Sequence, residues 1–227
     1  MFDLKNIPLA KYSRSEDIAN CVTHALGIPF CLIAAFLLLR MQIGRAPGRF
    51  IFSSVLYVIS MLLVFAGSAV YHGLKPSRSK QIARVIDHSN IYFMIAGMVT
   101  AFTLPTITDE NRAKSITVVC VVWGLSLLGV LFTFMDFKKF AKPQIFMYII
   151  MGWLCVIGLI SVFRSGEEGR RFVTFVILGG VSITVGSVLY FIGKKHKYFH
   201  AVFHTFVLLG TILIFIGLYS YDSFLLA

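Results

Sequence analysis

Seven apolar runs of about 20 residues each follow one another along this chain, and every break between them carries charge. The runs cover approximately residues 18–39, 50–74, 85–105, 115–135, 144–163, 172–192 and 198–221. Each is long enough to cross about 30 Å of hydrocarbon as a helix. The chain is 58% apolar and 14% charged, against about 25% charged in soluble domains, so a water-soluble fold would expose large adhesive patches. Only helices and closed barrels satisfy every backbone polar group inside a bilayer. Barrel strands alternate polar and apolar in short segments, a pattern missing here. The sequence therefore predicts an all-α, seven-transmembrane helical bundle over residues 18–227, preceded by a polar segment at residues 1–17. That segment lacks the apolar stretch and small-residue cleavage site of a signal peptide.

The formal charge of +11 does not point to nucleic acid. The basic residues sit in short clusters between apolar runs, where they hold a topology against an anionic membrane. With the N-terminus inside, the inner segments carry thirteen Lys and Arg and the outer ones eight. That bias predicts a cytosolic N-terminus and an extracytoplasmic C-terminus. Cys21, Cys31, Cys120 and Cys155 lie in apolar runs without a CxxC pair and read as small buried hydrophobes. Gly179, Gly186 and Gly193 recur every seven residues, which marks close helix packing.

Against this background the polar residues within the spans are informative, because ionisable groups there are costly. His24, His72, His88, His200 and His204 sit in or against apolar runs, and Asp87 is the acid most closely embedded in one. Alternating helices place all of them at one membrane depth on one side, the inner one if the N-terminus is inside. His200 and His204 are four apart and share a helix face; Ser68 and His72 share another. A third histidine from a facing helix completes three imidazoles with one position open, the ligand set of a catalytic zinc with its water. Asp87 is close enough in depth to hydrogen-bond that water, and Ser68 serves as a second donor or supports a ligand. The competing reading is interfacial histidines that pack or snorkel. His88 is equally suited to a structural hydrogen bond, and His196, between Lys195 and Lys197, to solvent. Glu16, Asn20 and His24 form one stripe that lines the site or caps the first helix.

Four segments carry a resemblance: Glu16-Asp17-Ile18-Ala19-Asn20-Cys21-Val22-Thr23-His24, Ser68-Ala69-Val70-Tyr71-His72, Asp87-His88-Ser89-Asn90-Ile91-Tyr92 and His200-Ala201-Val202-Phe203-His204. In this order they resemble the hemolysin III family, which stands with the progestin and adipoQ receptors. Short loops and a short tail resemble its bacterial branch, and imply a multi-pass protein of the bacterial plasma membrane. The resemblance implies zinc on His72, His200 and His204, with Asp87 near the zinc-bound water and Ser68 one turn before the first ligand. It further implies a zinc-dependent hydrolase of lipid amides such as ceramide, with membrane lipids as partners. The alternatives are a non-enzymatic membrane-homeostasis or sensor protein with structural zinc, a pore-forming hemolysin, and a bis-histidine haem protein. The pore ranks low, because the outer halves of the spans read as apolar. One departure is Met98-Val99-Thr100-Ala101-Phe102, where relatives often carry a threonine-proline-phenylalanine sequence; its loss removes a kink in the third helix and alters the cavity shape without touching the ligands.

Overall fold

The computed structural model describes residues 7–193 and 195–227, and the side chains of residues 141 and 142 are outside that description. The first six residues of the N-terminal segment, with Lys5, and the loop charge Lys194 therefore lie outside the described residues. Among the described residues the chain forms eight α-helices and no strand: α1 Arg14–Ala25, α2 Gly27–Gln42, α3 Gly48–Gly73, α4 Arg78–Thr103, α5 Arg112–Met135, α6 Phe137–Arg164, α7 Glu167–Ile192 and α8 Phe199–Leu225. Six segments are long and apolar enough to cross a membrane: α1 and α2 taken together, α3, α5, α6 from Pro143, α7 and α8.

The first apolar run is broken where two residues require it. Pro29 has no N–H to donate to the Ala25 carbonyl, so the helix cannot pass Leu26 undisturbed. At Gly27 a Cβ would collide with the Phe65 ring of α3. The helix also begins at Arg14, ahead of the run expected from residue 18. Ser13 caps it: its Oγ accepts from the Glu16 N–H at 3.3 Å, and Glu16 Oε2 accepts from the Ser13 N–H at 3.0 Å.

Two breaks expected from charge are helical instead. Arg78–Arg84 forms the first two turns of α4, capped by Ser77, whose Oγ accepts from Lys80 N–H at 3.2 Å. Lys138 and Lys139 belong to the first turn of α6, and only Asp136 separates α5 from α6. Its side chain accepts from Lys139 N–H at 2.9 Å, so an N-cap takes the place of a loop.

α4 is as long as α3 but reads as less apolar, because Asp87, His88, Ser89 and Asn90 lie in it. It is also the helix most enclosed, buried almost without interruption from Ser89 to Thr103 and packed against α3, α5 and α6. It runs unbroken past Met98–Phe102. The exterior of the bundle carries Leu32, Phe36, Phe52, Leu127, Phe146 and Ile150 fully in the open, the belt expected of a lipid-facing surface. The cysteines divide: Cys31 and Cys155 are buried, Cys21 is partly so, and Cys120 faces outward on that belt.

α7 and α8 form an intimate pair for the reason the glycine spacing suggested. A Cβ at Gly179 would lie 2.7 Å from the Gly210 carbonyl oxygen, and one at Gly210 would lie 2.7 Å from that of Gly179. The Ile214 and Ile183 side chains close in as well, but the backbone carbonyls cannot yield. Gly179→Ala is expected to destabilise the protein by about 1–3 kcal/mol, seen as a lowered thermal midpoint in detergent. An unchanged midpoint contradicts this contact.

Candidate metal centre

One end of the bundle gathers polar side chains from α1, α3, α4 and α8. On α1, Asp17, Asn20 and His24 follow the i, i+3, i+7 spacing of one helix face, and all three are buried. Glu16 is taken by the cap, so the expected stripe divides: its first member closes the helix and the other two face the site. α3 contributes the buried Ser68 and His72, α4 Asp87, and α8 the half-buried His200 and buried His204.

The three histidines expected to share an ion are brought together. One ring nitrogen of each of His72, His200 and His204 lies within 4.8 Å of the others. His72 Nε2 and His200 Nε2 are 3.1 Å apart. Two nitrogens on one tetrahedral zinc are separated by about 3.3 Å, from bond lengths near 2.0–2.1 Å. Among the described residues no Asp, Glu or Cys joins this set at ligand distance.

The surrounding groups fix which nitrogen is free on two of the rings, His72 and His204. His72 Nδ1 donates its hydrogen to Asp17 Oδ1 at 3.1 Å. The second oxygen of Asp17 receives Lys80 Nζ at 2.7 Å, and Lys80 also stands 5.3 Å from the centre of the Tyr71 ring. His204 Nδ1 donates to the Asn20 carbonyl at 3.1 Å. Both rings therefore present an Nε2 lone pair to the cluster, the tautomer metal ligands require. Two ring nitrogens 3.1 Å apart share either a proton or a cation, and with the His204 nitrogen within 4.8 Å the three residues fit a metal ion.

Three groups in this arrangement were not singled out from the sequence. Asp17 and Tyr12 fall in the polar segment at residues 1–17, and Lys80 among the charges between the second and third runs. Tyr12 stacks on His200, with ring centroids 5.3 Å apart, while Tyr190 approaches the same ring at 4.9 Å. Burial, with Tyr71 and Tyr190 nearby, pushes the Tyr12 phenol above its ordinary value. The 17, 20, 24 spacing was the signal that could have found Asp17.

α8 enters the site through a strained residue. Tyr198 has φ of 66°, the left-handed region that side chains disfavour. Its N–H donates to Glu16 Oε1 at 3.4 Å, and its hydroxyl lies 3.2 Å from Ser15 Oγ. The start of α1 thus holds the start of α8, two residues before His200.

The remaining residues divide clearly. Asp87 is buried with Ser68 beside its carboxyl. His88 points elsewhere: its Nδ1 donates to the Arg84 carbonyl at 3.0 Å, and its ring meets Phe137 edge-on. His196 is exposed. His24 is buried against His204, with ring centroids 3.5 Å apart, and neither of its nitrogens has a hydrogen-bond partner. It stands at the wall of an apolar cavity of about 130 Å³, lined further by Met94, Met98, Trp153, Val176 and Ile214.

Asp17 is the one group that both orients a ligand and neutralises a buried lysine. Asp17→Asn is expected to weaken metal binding about 10–100-fold, as loss of such a partner does elsewhere. It also leaves Lys80 without its counter-ion, at about 3–5 kcal/mol of stability. Lys80→Met in the same background is expected to restore much of the stability but not the affinity. Metal titration and thermal melts of both proteins check this.

Comparisons with known proteins identify the family. The family model described as Haemolysin-III related matches residues 12–215. The chain is 33% identical over 204 residues to Hemolysin-3 homolog of Bacillus subtilis (strain 168), covering 90% of this chain and 93% of that protein. It is 28% identical over 200 residues to Hemolysin-3 of Bacillus cereus, covering 88% and 89%. Monocyte to macrophage differentiation factor of Homo sapiens is 21% identical over 215 residues, covering 91% and 84%. With its apolar helices and Bacillus relatives, this is a multi-pass integral membrane protein of the bacterial plasma membrane. The match over almost the whole length leads to one conclusion: the chain belongs to the haemolysin-III related family.

Proposed function

We propose that this protein is a zinc-dependent hydrolase of lipid amides, with its reacting centre at the cytosolic membrane face. The observation that carries the reading is the three-histidine cluster next to an intramembrane apolar cavity whose wall includes His24. In this reading α4 is a seventh span: its 26 residues rise about 39 Å, and its polar half faces protein. The N-terminus is cytosolic and the C-terminus extracytoplasmic, in keeping with the distribution of Lys and Arg.

His72, His200 and His204 hold the ion. Bound zinc supplies a Lewis acid for a carbonyl and brings the pKa of a water from 15.7 toward about 7. The chain's own groups do the rest. The Asp87 carboxylate accepts the proton of the attacking water. Ser68, beside it, donates its one hydroxyl hydrogen to that carboxylate first, and to the carbonyl oxygen once Asp87 carries the proton. Asp87 then returns the proton to the departing amine, so the cycle closes with the amide C–N bond broken and a C–O bond formed. The apolar cavity takes an acyl chain and keeps bulk water from the carbonyl. Asp17, tied to Lys80, holds His72 in the ligating tautomer.

The test is purification without added metal, followed by elemental analysis and assay against fluorescent lipid amides and matched esters. Zinc near one per chain, and amide cleavage that a chelator removes and zinc restores, is the expected result. Zinc-loaded protein that cleaves no lipid of the panel contradicts the hydrolase and leaves a structural role for the ion.

A further inference from the structure

The end of the bundle far from the histidines contains a second buried polar cluster. Asp222 follows His200 by 22 residues on α8, about 33 Å along a helix axis. Beside it are Gln42, the last residue of α2, and Ser54 from the second turn of α3. All three are buried. Gln42 and Asp222 lie just beyond the apolar runs read from the sequence at 18–39 and 198–221, where the helices continue past the ends of those runs.

The hydrogen bonding here is incomplete in one particular way. Gln42 Nε2 donates to Ser54 Oγ at 2.8 Å and to Asp222 Oδ2 at 2.9 Å, so both amide hydrogens are committed. Gln42 Oε1 and Asp222 Oδ1 are buried without a partner. Turning the amide over would set its carbonyl against the carboxylate and improve nothing. Among the described residues no Lys, Arg or His pairs with Asp222. The cluster therefore has acceptors and a carboxylate to spare, and lacks a positive partner. An unpaired carboxylate in such a place is strongly disfavoured.

The missing partner is defined by the donors. A carboxylate, a carboxamide carbonyl and a hydroxyl are hard oxygen ligands. They select a hard cation, and no sulfur or imidazole is present to favour a transition metal. One carboxylate provides one negative charge, which a monovalent ion neutralises and a divalent ion would overcompensate in a low-dielectric site. We propose that Asp222, Gln42 and Ser54 form a sodium site. It joins the ends of α2, α3 and α8, while the histidine cluster joins α3 and α8 at the other end. The two sites clasp the same pair of helices about one membrane thickness apart.

The experiment is equilibrium binding of radioactive sodium to the full-length protein in non-ionic detergent at pH 8, with choline chloride holding ionic strength constant. Saturable binding of one sodium per chain is expected, with a thermal midpoint that rises with sodium and not with choline. Asp222→Asn is expected to abolish the binding and the midpoint shift while zinc content stays as in the parent; Ser54→Ala is expected to weaken the binding and not abolish it. Absence of saturable sodium binding to the parent protein overturns the proposal, since Asp222 is then protonated or bridged by water alone. Unchanged binding in Asp222→Asn overturns the location. The parent measurement stands even where a variant fails to fold.

Discussion

His200→Ala is expected to release the metal while leaving the bundle intact. His200 is the ligand whose removal disturbs packing least, because it is half-buried and its ring leans on Tyr12 and Tyr190. His72 and His204 are completely enclosed, and truncating either opens a cavity as well as a coordination position. With two imidazoles left, affinity is expected to fall by more than the approximately 100-fold that marks the upper range for losing a supporting partner. Elemental analysis after desalting checks this, with near-total loss of zinc expected. Lipid hydrolysis is expected to disappear with the ion. Helicity and monodispersity in detergent should match the parent. Full retention of zinc in this variant contradicts the assignment of the ligands.

Asp87→Asn is expected to do the opposite: keep the metal and lose the chemistry. Asp87 is not within ligand distance of the three histidines as a set, so the ion does not depend on it directly. Asparagine preserves shape and can still meet Ser68, but it cannot accept the water's proton. General-base catalysis of this kind contributes about 10²–10⁴-fold, and a loss of that size in turnover is expected with zinc content and thermal midpoint close to the parent. A protein whose zinc merely ties helices together would show no functional change. That contrast separates the enzymatic reading from the sensor reading.

How far the sequence reaches can be judged from particular residues. The helices were legible because apolar runs of membrane length admit little else. Their starts were less so: Arg78–Arg84 and Lys138–Lys139 look like loop charges, yet Ser77 and Asp136 cap helices that include them. The interruption at Leu26 follows from Pro29 and from the approach of Phe65 to Gly27, and only the first of these is local. At the site, the histidines stood out against their apolar surroundings, and alternating helices fixed their common depth. Asp17 and Lys80 did not, because their pairing joins segments 63 residues apart. Each taken singly resembles an ordinary charge at a helix start. Gln42 and Asp222 were hidden in the same way, at span ends where polar residues are commonplace.

The most direct test of the three-histidine centre is zinc K-edge absorption spectroscopy of the purified parent protein beside His200→Ala. A zinc signal with three imidazole ligands and one further light-atom ligand is expected in the parent and absent from the variant. A sulfur-ligated spectrum, or a signal of equal size and shape in both proteins, would contradict it.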